Sequence, residues 1–98
     1  MSITGVDRRI TVEKAMSEKL QALCVYEWPI WTKEVCSFDW HYDDLETRLL
    51  LEGQVTVRTY RSEVSFGAFD LVTFQKGLSC HWYVKEVVKK HYRFGQVK

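Results

Sequence analysis

The sequence predicts an all-β protein, an antiparallel barrel or sandwich of short strands, and three observations carry that prediction. Runs of Val, Leu, Phe, Thr and Trp follow one another closely from residue 31 onward, with Gly or charged residues between them, as strands joined by short turns do. Helical patterning is confined to one short stretch that begins near residue 17 and is broken at Pro29, where the ring removes a donor and fixes φ. Four Trp, five Tyr and five Phe among 98 residues give a chain of this size the apolar bulk for one packed core.

Taken in order, residues 1–15 read as a weakly patterned N-terminal arm with one strand over 9–12, and residues 16–98 as a single domain. Ser17 followed by EKLQAL reads as an N-cap with a helical turn or two, too short to hold without tertiary support. Trp28 precedes Pro29 and is pushed towards an extended conformation. Strands are predicted at 32–38, 40–42, 47–51, 54–60, 64–66, 71–74, 79–84 and 87–94.

Charge and cysteine usage bound the function. Fourteen basic and thirteen acidic residues nearly cancel, so nothing marks nucleic acid or an anionic membrane as a partner. The N-terminal residues lack the apolar run of a signal peptide, and no segment reaches spanning length. Cys24, Cys36 and Cys80 are odd in number and widely spaced, unlike a disulfide framework or a zinc knuckle. Reduced thiols and a cytoplasmic location are the expectation. The chain has no glycine-rich phosphate loop, no HExxH and no Gly-x-Ser-x-Gly, so no motif specifies a reaction.

Two segments fall into a recognisable frame. In DWHYDDLETRLLLEGQV, Glu46 stands seven residues before Gly53; in FDLVTFQKGLSCHW, a strand, a turn at Lys76 and Gly77, and a return strand succeed one another. Together they resemble the two motifs of the cupin superfamily, RmlC-like double-stranded β-helix barrels of the jelly-roll kind. WPIWTKEV, LLLEGQVTV, DLVTF, GLSC and KKHYRF, spread over most of residues 28–94, are similar to the small single-domain cupins related to ethanolamine-utilisation protein Q. This DUF861-type group also includes ureidoglycine aminohydrolase. The resemblance implies one cupin barrel, a homodimer with exchanged arms or edge strands, and chemistry that varies widely within the fold.

A metal-binding cupin carries His-x-His and Glu in its first motif and a third His in its second, where the short members commonly place Cys. Carried over residue by residue, that pattern puts Asp39, His41, Glu46 and Cys80 at the metal positions. A shorter spacing nominates Trp40 and Tyr42 instead, neither a good ligand. Phe69 and Gln75 stand where the second motif has Gly and Pro. Asp, His, Glu and thiolate are competent ligands for iron, manganese or zinc. Arg48, however, shares a strand face with Glu46 and supplies the positive charge that a cation otherwise brings. The reading therefore favours no metal over a divalent one.

Strand alternation separates Cys80 from His81. Cys80 goes inward with Trp82 and Val84, while His81 goes outward with Ser79, Tyr83 and Lys85, so the two are not a nucleophilic dyad. Cys80 is then an inert apolar thiol or, beside Arg48 or His41, a reactive one. Trp28, Trp31, Trp40 and Trp82 are core bulk or an aromatic wall, with Trp82 assigned to the core and Trp28 and Trp31 to a barrel mouth or a subunit contact. Leu49 and Leu51 face away from Glu46, Arg48 and Leu50, and need a cover from the arm or a second subunit. The basic tail with Lys85, Lys89, Lys90, Arg93 and Lys98 reads as a solvated face.

These residues suggest a small-molecule-binding cupin whose pocket holds Asp39, His41, Glu46, Arg48 and Cys80, flanked by Trp40 and Trp82. Catalysis would be acid–base work, with His41 or Glu46 carrying the proton, Cys80 as a further candidate, and Arg48 fixing a carboxylate or phosphate. The alternatives are a metal-dependent enzyme and a non-catalytic scaffold with a vestigial pocket.

Overall fold

The computed structural model describes residues 9–95. Its elements are β1 (Ile10–Glu13), α1 (Ser17–Ala22), a single 3₁₀ turn (Val25–Glu27), β2 (Ile30–Lys33), β3 (Cys36–His41), β4 (Glu46–Arg58), β5 (Glu63–Gly67), β6 (Leu71–Phe74) and β7 (Ser79–Phe94). All pairings are antiparallel, in the order β1-β6-β4-β7-β2, with β3 added on β7 and β5 on β4. No described helix is long and apolar enough to cross a membrane.

Two long strands organise the rest. β4 and β7 pair from Glu46↔Phe94 to Arg58↔His81, with register shifts between Leu50 and Val55. On one side of the irregularity β6 lies on β4 and β2 on β7; on the other, β5 lies on β4 and β3 on β7. Each long strand thus serves two half-sheets. Sequence reading split each into two because Glu52–Gly53 and Lys85–Glu86 resemble turn punctuation. They are instead an irregular stretch inside continuous strands, as β-bulges are.

Gly53 explains why the bend falls there. Its φ of +112° disfavours any side chain, and a Cβ would lie 2.7 Å from the Val87 carbonyl oxygen, so only glycine fits without strain. Across this point β4 changes phase. Glu46, Arg48 and Leu50 face inward before it, and Val55 and Val57 after it, all five fully or almost fully buried.

The core between the half-sheets joins Leu50, Val72, Phe74 and Val88 from one to Val55, Val57, Phe66, Trp82 and Val84 from the other. Rings interlock there: Phe74 lies 6.0 Å from Phe66 and 5.9 Å from Trp82 by centroids, within the range of favourable aromatic pairing.

A second cluster answers the question of the outward leucines. Leu49, with Leu51 partly buried beside it, packs against Leu20, Val25, Trp28 and Leu71. The cover is α1 and the 3₁₀ turn of the same chain. α1 is six residues long and depends on that packing. Its N-cap is Met16, with no side-chain capping bond, so Ser17 is the first helical residue rather than the cap. Trp28 is extended (φ −72°, ψ 154°), as Pro29 demands. The arm's strand pairs with β6 in the register Ile10↔Phe74; the first eight residues of the arm lie outside the described residues.

Candidate functional site

Alternation along the strands builds the barrel mouth, and four of them contribute. Phe38 and Trp40 of β3 point inward with Tyr42 after them, Glu46 and Arg48 come from β4, Trp82, Lys90, Tyr92 and Phe94 from β7, and Trp31 from β2; together they line a cavity of about 230 Å³. Trp40 and Phe94 stand at its rim, 47% and 48% exposed. The charged groups lie deep, with Glu46, Arg48 and Lys90 only 3%, 1% and 5% exposed.

These three form one ionic unit. Arg48 Nη2 donates to Glu46 Oε1 at 2.5 Å and to the Tyr42 hydroxyl at 2.9 Å. Lys90 Nζ donates to Glu46 Oε2 at 3.3 Å. One carboxylate therefore answers two basic groups. Aromatic faces take up part of the excess: the Arg48 guanidinium lies 4.4 Å from the Trp82 ring and 4.5 Å from Phe74, and Lys90 Nζ 4.4 Å from Trp31, distances at which cations are attracted to ring faces.

Burial decides how the unit titrates. Desolvation, with Arg48 adding repulsion, holds Lys90 well below its ordinary 10.5, although Glu46 pulls the other way. Burial also pushes the Tyr42 hydroxyl upward, Arg48 opposing and Glu46 reinforcing, so Tyr42 acts as a neutral hydrogen-bonding group. Arg48 is incompletely satisfied: its Nε and Nη1 have no hydrogen-bond partner among the described residues.

The residues proposed from sequence divide between two places. Arg48, Trp40, Trp82 and Glu46 meet in the mouth. Asp39 and His41 do not, because inward positions on β3 are Phe38 and Trp40, opposite Trp82 and Cys80. On the outer face Asp39 Oδ1 meets His81 Nδ1 at 2.6 Å, and His41 Nδ1 meets Ser79 Oγ at 2.7 Å. Cys80 and Trp82 are buried in the core while His81 faces out, so the adjacent Cys and His do lie on opposite faces. Burial drives the Cys80 thiol from 9.0 to about 11, Arg48 lowering it only in part, and at neutral pH it is a thiol rather than a thiolate. Trp31 lines the mouth, whereas Trp28 packs under α1.

Lys90 is the residue that sequence reading missed, absorbed into a basic tail described as solvated. The alternation that buries Trp82, Val84 and Val88 reaches Lys90 at the same phase, and that periodicity was the available signal.

The mouth also tests the metal expected of many cupins. Metal centres need several His, Cys or carboxylate donors converging on one point. Glu46 is the one such residue lining the cavity, and both of its oxygens are engaged. No group of three or more His, Cys, Asp and Glu able to hold a metal occurs among the described residues. Asp39, His41, Glu46 and Cys80 do not fit a metal ion.

A small antiparallel barrel of two half-sheets with a cavity in its mouth defines a cupin. More narrowly, residues 20–92 match the EutQ-like cupin domain, and the chain belongs to that family. It is similar in structure to a DUF861 family protein from Thermotoga maritima, with 49% identity and a TM-score of 0.86 over 88% of this chain and 99% of that one. A putative ethanolamine utilization protein Q from Salmonella typhimurium LT2 is 17% identical with a TM-score of 0.62, covering 91% of this chain and 71% of that one. The Clostridium difficile EutQ protein is 18% identical with a TM-score of 0.61, covering 66% of this chain and 52% of that one. At those identities the last two share the fold. No curated protein matches.

Proposed function

We propose that the mouth of this small cupin binds a compact anionic metabolite, with a carboxylate taken by Arg48 and an apolar or planar body held among the rings. The observation that carries the reading is Arg48 itself: 1% exposed, on the cavity wall, with Nε and Nη1 unpartnered among the described residues. A buried donor without a partner costs about 1–3 kcal/mol, and a guanidinium is shaped to take a carboxylate in bidentate fashion. The cavity lies below the roughly 300–1,000 Å³ usual for drug-sized ligands, so the guest is small.

Calorimetric titration with acetate, pyruvate and benzoate, each against its uncharged amide, tests the reading. Carboxylates should bind and amides should not. Replacing Arg48 with Met should weaken carboxylate binding about 10- to 100-fold, the worth of a charge-assisted hydrogen bond, with circular dichroism confirming the fold. Absence of binding by all three carboxylates, or equal binding of acids and amides, sinks the proposal.

A further inference from the structure

The anion site has a second chemically capable group, and it is not used by binding alone. Lys90 lines the cavity, and among the described residues its Nζ makes one hydrogen bond, at 3.3 Å, to Glu46 Oε2, and faces the rings of Trp31 at 4.4 Å, Trp82 at 5.1 Å and Tyr92 at 5.8 Å. An ammonium has three donors to satisfy, and this one sits in an apolar cage beside a guanidinium that competes for the same carboxylate. Those are the surroundings in which a lysine becomes a free amine and a nucleophile.

Resting on the anion-site reading, we infer that Lys90 condenses with the carbonyl of a small 2-oxo acid whose carboxylate is held by Arg48, forming an imine. The lone pair of Nζ adds to the carbonyl carbon, the carbonyl π electrons move to oxygen, and Glu46, within reach of Nζ, carries one N–H proton to that oxygen to give the carbinolamine. As the nitrogen lone pair forms the C=N bond and expels the oxygen, Glu46 carries the second N–H proton to it, so amine and carbonyl give imine and water with no change in oxidation state. Burial and the neighbouring guanidinium hold Lys90 well below 10.5, which favours the amine with its lone pair over the ammonium. Arg48 and Lys90 line the same cavity and both contact Glu46, and a 2-oxo acid carries its carboxylate and its carbonyl on neighbouring carbons. Tyr42, bonded to Arg48 at 2.9 Å, fixes the guanidinium for that grip.

Reductive trapping tests this. Full-length protein is incubated with pyruvate or glyoxylate and cyanoborohydride, and intact mass is followed by peptide mapping. The expected result is one reductively attached acid per chain, located on Lys90, at least tenfold in excess over the exposed Lys76 and Lys85. Benzoate, which has no ketone or aldehyde carbonyl, should slow trapping on the unaltered protein by occupying Arg48. Lys90→Arg should abolish the single adduct and Lys85→Arg should not. Benzoate binding without selective trapping at Lys90 overturns the imine and leaves the anion site standing. Absence of both benzoate binding and trapping overturns both. Labelling spread evenly over the lysines overturns the imine.

Discussion

The inner and outer faces of β3, β4 and β7 carry polar groups of similar kind at similar distances, and they differ in what those groups are worth. Inside, Arg48 meets Glu46 at 2.5 Å with both side chains almost wholly buried. Outside, His81 meets Asp39 at 2.6 Å, with Asp39 92% exposed. Distance alone ranks them equal. Surroundings do not, because an exposed pair is screened by water and contributes about 0–1 kcal/mol, whereas losing one partner of a buried pair strands a charge at a cost of about 3–5 kcal/mol.

The largest effect should come from breaking the inner unit at its shared partner. Glu46→Gln leaves the buried Arg48 cation with no counter-charge and Lys90 without its carboxylate, and is expected to lower stability by about 3–5 kcal/mol in urea unfolding. A loss below about 1 kcal/mol would mean that the rings, rather than the carboxylate, hold Arg48 and Lys90.

An intermediate effect, of opposite sign, is expected from Lys90→Met. Exchanging a buried basic group for an apolar one of similar length is neutral or stabilising by about 1–4 kcal/mol, and Arg48 and Glu46 keep each other. pH dependence supplies the sign. The groups that face Lys90 are Glu46, Arg48, Trp31, Trp82 and Tyr92, and its folded-state pKa lies well below 10.5. Between those two values the unfolded chain holds a proton that the folded one has lost, so this group makes stability rise with pH until the unfolded lysine also titrates. Unfolding free energies measured from neutrality upward should show that rise in the parent and not in the Lys90→Met protein. Equal slopes would place the amine in water.

The smallest effect belongs to the outer face. Asp39→Asn should change stability by less than about 1 kcal/mol at low salt and by nothing measurable at high salt. A larger loss would show that this face is covered in solution.

The same contrast explains what was legible in the sequence. Elements on the two long strands were readable wherever apolar and polar residues alternate cleanly, which is why Cys80, Trp82 and Val84 were placed inward and His81 outward. On β3 the alternation of Phe38, Trp40 and Tyr42 was equally clean. A metal-motif spacing borrowed from relatives overrode it and turned Asp39 and His41 inward. Lys90 was lost for a related reason, since a charge in a basic run is read as solvated although its phase matches Val88. The merging of predicted strands into β4 and β7 was beyond local reading, because a glycine flanked by charges signals a turn and a bulge alike. The cover over Leu49 came from tertiary packing that a six-residue helix does not announce.

Gly53 has a consequence for how this barrel can be inherited. Inward positions of β4 run through Glu46, Arg48 and Leu50 on one side of it and through Val55 and Val57 on the other, so the strand is read in two frames. A residue gained or lost before the glycine would rotate Glu46 and Arg48 out of the mouth and leave the valines where they are. One gained or lost after it would do the reverse. A lineage can therefore alter the length of one half-strand without turning the other. The floor of the site and the packed core can diverge separately, while the glycine between them cannot.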